Sequence, residues 1–134
     1  ACKNLVHHFQ QCHAAFLEAN YDVDMLEKGT YPFILKKRIT NGQGHLSNIQ
    51  ALDLFNTHRP KFMSHLILSH LSKNNNKPEL VDHLFKQHAG GTEIIVASRY
   101  EESPVFKIEN VNGAPLQKPV KLKKKINQQQ LSLF

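Results

Sequence analysis

Residues 61–72 read KFMSHLILSHLS. The apolar core of this stretch is too short for a helix of ordinary length and has no 3.6-residue rhythm, so it reads as a buried strand with His70 at its far end. Residues 13–20, HAAFLEAN, have the same character: small and apolar side chains run up to a carboxylate, which places Glu18 at a strand tip. Between the two lies a polar, glycine-containing connection and then SNIQALDLF. There Ser47 and Gln50 match a capping box, and Ile49, Leu52 and Phe55 follow in three-residue steps. Strand, helix, strand implies a right-handed crossover between parallel neighbours. Glu18 and His70 then lie at the same edge of one sheet, at the carboxyl ends of its strands, where open α/β sheets place their sites.

Downstream, KPELVDHLFKQHAGG predicts a second helix. Pro78 and Glu79 suit its first turn, Leu80, Val81 and Leu84 its core face, and Gly90 or Gly91 its stop. TEIIVASRY reads as a strand, and PVFKIEN as its antiparallel partner at an edge. The expected order is strand-helix-strand-helix-strand-strand, an α/β domain over residues 1–117, followed by a flexible tail over 118–134.

The 134 residues suffice for one domain. Forty per cent are hydrophobic and 21% charged, as in soluble globular proteins. No apolar run reaches the roughly 18 residues of a membrane span and the N-terminal residues show no secretory pattern, so a cytoplasmic protein is expected. Cys2 and Cys12 read as reduced thiols. The net charge of +6 is unevenly placed: residues 118–134 hold five of the 17 bases and none of the 11 acids, so the body is nearly neutral.

Of the nine histidines, most sit in polar or helical settings without ligand spacing. His65 and His70, five positions apart on one strand, point to opposite faces and are not expected to share a metal. His45, in GQGHLSN, lies in a turn able to bring an imidazole into a cleft. His70 stands where a buried strand emerges.

The segments EANYD, GTYPFILKKRI, GHLSN and HLSKNNNKP, in this order, resemble those of metallo-β-lactamase-fold nucleases of the YycJ/WalJ type. The resemblance covers about residues 12–100. It implies the second half of a four-layer αββα sandwich, with two divalent metal ions, zinc or manganese, at the strand ends. It assigns His70 to metal binding. It makes Glu18 the carboxylate that orients His45, and His45 the acid that protonates the leaving oxygen, with Asp22 a candidate to support these residues from behind, whose plainer reading is a turn or helix cap. A metal that acidifies water and a histidine poised near neutrality suit such hydrolysis.

The H-x-H-x-D-H segment of that family does not occur here, and one neutral imidazole cannot hold a catalytic metal pair. The resemblance therefore implies that the chain supplies the C-terminal half of the fold, with at most a partial metal site, and is inactive alone. The missing N-terminal half would be its first partner. DNA is the expected substrate. RNA processing by the same fold is the alternative within the enzyme class, and a non-catalytic interaction fragment is the alternative outside it.

The tail ends in QLSLF, residues 130–134, which resembles the pentapeptide by which bacterial repair proteins bind the replication sliding clamp. Leu131, Leu133 and Phe134 supply apolar anchors, Gln130 supplies amide hydrogen bonds, and Ser132 completes the pattern. The lysines before it would act as a tether that also attracts DNA.

Overall fold

The computed structural model describes residues 3–42 and 44–108. A three-stranded sheet is built from β1 (Ala14–Glu18), β2 (His65–Ser69) and β3 (Glu93–Val96), in the spatial order β1-β2-β3. Both pairings are parallel, with Glu18 opposite Ser69 and Leu68 opposite Val96. Both strands expected to frame the site are present, and all three strands end at the same edge.

Five helices accompany them: α1 (Lys3–Phe9), α2 (Val23–Lys28), α3 (Phe33–Thr40), α4 (Asn48–His58) and α5 (Pro78–Lys86). Alternate strand residues Leu17, Leu66, Leu68 and Ile94 face Phe9, Ala51, Leu52, Phe55, Val81 and Phe85 in one core. The Phe55 and Phe85 rings meet at 6.0 Å, and the Arg59 guanidinium lies 4.3 Å from the Phe55 ring centre. Thus α1, α4 and α5 cover one face of the sheet. The other face carries Phe16, which is 73% exposed at its edge, and Ile67, which is buried.

The capping box at the start of α4 is complete: Ser47 Oγ accepts from Gln50 N, and Gln50 Oε1 accepts from Ser47 N. The expected core face needs correction, because Ile49 is 59% exposed while Asn48, Ala51 and Leu54 are buried beside Leu52 and Phe55. In α5 the buried positions are Val81 and Phe85, with Leu84 packed against the core and Leu80 at the surface. Gly90 and Gly91 do adopt positive φ, but only after the helix has closed at Gln87.

The connection between β1 and α4 is not bare loop, since it holds α2 and α3. The expected edge strand at PVFKIEN does not form within its described residues, 104–108. Pro104 has no N–H to give a ladder. Phe106 instead stacks on His65 of the central strand, ring centres 4.9 Å apart, so it lies on the sheet's face rather than beside β3.

Cys12 is a half-buried free thiol that donates to His8 O at 3.3 Å, and burial pushes its pKa up. No helix among the described residues is long and apolar enough to cross a membrane. Cys2, the expected boundary at 117, the tail 118–134 and its QLSLF all lie outside the described residues.

Candidate functional site

Past the end of β1 the chain keeps pairing, now with the segment leading into α4. Asn20 N donates to Leu46 O at 2.9 Å, Asn48 N to Tyr21 O at 2.9 Å, and Tyr21 bridges Ser47 in parallel. This fixes the GHLSN segment alongside EANYD. Gly44 is needed for the close approach: a Cβ there would stand 2.5 Å from Ile39 O and 2.6 Å from Arg38 O, backbone atoms at the end of α3. His45 follows at once, its N–H reaching Ile39 O at 3.3 Å.

From the other side, β2 ends at Ser69 and the chain turns sharply at His70, whose φ of 59° is in the left-handed region. Histidine is among the few residues enriched there, and such a conformation persists only where its surroundings impose it. Here Asn20 Nδ2 donates to His70 O at 2.7 Å, and Ala19 N and Ser72 N close bonds across the same junction. The turn swings the imidazole back over the end of β1.

The two histidines meet on Glu18. Its Oε1 lies 2.7 Å from His45 Nδ1 and 2.6 Å from His70 Nδ1, while Oε2 accepts from Leu46 N at 3.2 Å. The ring centres are 5.1 Å apart and steeply inclined at 68°. A carboxylate oxygen only accepts, so each Nδ1 carries its proton toward Glu18 and each ring keeps Nε2 for another partner. Burial alone would raise the Glu18 pKa. The bonds from His45, Leu46 N–H and His70, with the charge of His45, outweigh it and hold the carboxyl below its usual range.

Glu18, His45 and His70 are thus brought together, with candidate ligand atoms all within 4.8 Å of one another. Two imidazoles and a carboxylate are a donor set suited to a divalent transition metal, though short of a complete shell. Asp22 is adjacent in sequence but otherwise engaged: its Oδ1 caps α2 by accepting from Met25 N at 2.9 Å, and its own N–H donates to Asn75 O at 2.8 Å. His65 is not part of this cluster: it shares a sheet face with Phe16 and Glu18 but stands at the opposite end of β2, paired across the strands with Glu93 at 3.2 Å.

What the sequence reading missed is the amide scaffold below the site. Asn48 and Asn76, both buried, exchange side-chain bonds of 3.0 and 2.8 Å, and Asn76 also donates to Ala19 O at 2.8 Å. The asparagine run of HLSKNNNKP carried the signal, since three amides in succession after a buried strand need partners. The sharing of Glu18 by His70 also went unforeseen.

The architecture is an α/β sheet whose strand ends gather a carboxylate and two imidazoles, the form of a candidate metal centre. Among known proteins, the chain is 39% identical over 67 residues to exodeoxyribonuclease YycJ of Bacillus anthracis, and 41% identical over 64 residues to exodeoxyribonuclease WalJ of Streptococcus pneumoniae. These matches cover 50% and 48% of the chain but only 25% and 24% of the relatives. The chain therefore matches about a quarter of the length of its curated relatives. No protein-family model matches it, and no solved structure does.

Proposed function

We propose that the chain is the C-terminal part of a metal-dependent phosphodiesterase that degrades DNA as a cytoplasmic exonuclease. The observation that carries this reading is the single Glu18 oxygen shared by the Nδ1 atoms of His45 and His70. Its support from outside the chain is the exodeoxyribonuclease name of the partial relatives.

His70 would hold metal through Nε2, and Glu18 fixes both tautomers and both ring planes. His45, oriented by the same carboxylate, delivers a proton from Nε2 to the departing oxygen. Zinc or manganese ions held here would stabilise charge on the phosphodiester and supply a nucleophile from water. Two imidazoles and one carboxylate do not complete two metal shells, so the remaining donors come from the N-terminal half of the fold. Asp22 acts on the site indirectly, by anchoring the turn that follows Asn20.

Full-length protein is the material for the test. His70→Ala should reduce bound metal, measured by elemental analysis, and abolish cleavage. His45→Ala should slow kcat by about 10²- to 10⁴-fold. A full-length protein that binds no metal and cuts no nucleic acid would defeat the proposal, leaving an interaction fragment; preference for RNA over DNA would shift it to RNA processing.

Residues 130–134, QLSLF, would deliver this activity to the replication sliding clamp. Removing those five residues should abolish clamp binding in a pull-down with purified clamp while intrinsic cleavage persists. Retained binding would defeat this part.

A further inference from the structure

The Glu18–His45–His70 cluster is flanked by two cavities. One, of about 660 Å³, is bounded by Tyr31, Leu35, Arg38 and Ile39, with His45 and His70 at its other wall. The second, of about 580 Å³, is bounded by His70, Lys73, Val96, Ser98 and Tyr100. His70, Leu71, Ser72 and Arg99 line both, so the two bowls adjoin and share a wall that carries a site histidine.

Their chemistry is alike. No aspartate or glutamate lines either bowl among the described residues, whereas Arg38 lines the first, Lys73 the second and Arg99 both. These cations are not consumed by the fold. On α3, Lys36 is tied down by Glu27 O and Gly29 O, each at 2.7 Å, but Arg38 has no hydrogen-bond or ion-pair partner among the described residues. Leu35, Arg38 and Ile39 stand three and four positions apart, so α3 turns one face to the bowl. Arg99 gives one bond to Leu71 O at 2.5 Å and keeps its other donors.

Tyrosines line both bowls: Tyr31 and the buried Tyr21 in the first, and Tyr100 in the second. Tyr31 is held through its hydroxyl by Asn74 Nδ2 at 3.3 Å, and Tyr100 is 80% exposed on the loop after β3. An aromatic beside a cation on each side of the proposed site, half-buried at Tyr31 and exposed at Tyr100, is the pairing that grips an unpaired nucleic-acid strand: cations track the phosphates, and rings take bases that have left their own stack. A bowl of this volume encloses a small ligand. It has room for a nucleotide, and an unpaired strand offers a tyrosine the base faces that a stacked duplex does not.

We propose that the two bowls form one track for an unpaired polynucleotide strand crossing the site, with Arg38, Arg99 and Lys73 on successive phosphates and Tyr31 and Tyr100 stacked on the bases to either side. The proposal rests on the phosphodiesterase reading above and specifies its substrate: a strand end that has been opened or was never paired.

The test uses full-length protein stripped of metal by chelation, so that binding is read without cleavage, and a fluorescein-labelled single-stranded DNA oligonucleotide followed by anisotropy over a range of salt. Wild type should bind the single strand more tightly than a blunt duplex of the same length. Arg38→Ala and Lys73→Ala should each weaken binding and lower the slope of log K against log salt by about 0.7, the contribution of one phosphate contact on a single strand. Tyr31→Ala and Tyr100→Ala should weaken it roughly 5- to 150-fold with the salt slope intact. Tyr100→Phe should restore most of that loss and Arg38→Lys most of the slope, which separates contact from misfolding. Lys86→Ala, at the far end of α5 and paired with Asp82, should leave both quantities unchanged.

Tighter binding of the duplex, or wild-type affinity and slope in the four alanine variants, would overturn the track. Cleavage by the metal-loaded protein is scored separately. Hydrolysis with unaffected variants defeats the track alone, and strand binding without hydrolysis in the wild type defeats the phosphodiesterase reading alone.

Discussion

Three donors converge on the two oxygens of Glu18, and this explains most of what the site can do. A glutamine in its place has a single acceptor oxygen and an NH₂ group that cannot accept from an Nδ1–H. Glu18→Gln therefore leaves at least one donor unanswered, Leu46 N–H if the amide oxygen keeps both imidazoles, and removes the negative charge that holds the rings, so metal affinity of the full-length protein should fall about 10- to 100-fold, measured by chelator competition. The carboxyl is held below its usual range, so its contribution to stability is present above the unfolded value, about 4.3, and is lost as pH falls through the lower folded value. In metal-free protein, the melting temperature of wild type should accordingly drop more between pH 5 and pH 3 than that of Glu18→Gln; equal drops would show that the bonds are not formed in solution. The Glu18 and His45 pairing was legible through their local motifs. That His70 joins it was not, because the contact spans 52 positions and depends on one residue taking a positive φ.

At the scale of elements, α4 shows both sides of what periodicity can tell. Its start was legible, since a capping box is a local pattern, and Ser47→Ala should cost about 1 kcal/mol in urea denaturation with m unchanged. Its buried face was misread because the first inward position is a polar residue, Asn48, kept inside by Asn76. Apolar spacing does not register an amide whose partner lies 28 residues away. Asn76→Ala would orphan the Asn48 side chain, Ala19 O and Lys77 N together. At about 1–3 kcal/mol for each buried group left unsatisfied, it should destabilise the protein clearly more than loss of the helix cap. A cost no larger than that of Ser47→Ala would mean that water replaces the amide. The helices α2 and α3 escaped notice for another reason. One is only six residues long, and the other leaves Phe33 and Ile34 exposed, so neither shows an inward apolar stripe.

For the molecule as a whole, the instructive feature is a parallel sheet covered fully on one side and only in part on the other. Parallel sheets occur almost only with both faces packed, because their crossovers place helices there. Here α1, α4 and α5 close one face, while the other is buried at His65, under Phe106, and at Ile67 in the central strand but open at Phe16 on the edge strand. A face of this kind fits a fold completed by other chain, in line with the quarter-length match to the exodeoxyribonucleases. The proposed N-terminal half can then be tested through one side chain. In the 134-residue chain alone, Phe16→Ala removes a ring that is already in water and should change stability by no more than about 0.5 kcal/mol. In the full-length protein the same substitution should leave a cavity between packed layers and cost about 3–5 kcal/mol. Denaturant titrations of the two pairs of proteins decide the matter: a small effect in both contexts would show that nothing seats on this face, and the layered sandwich would have to be abandoned with it.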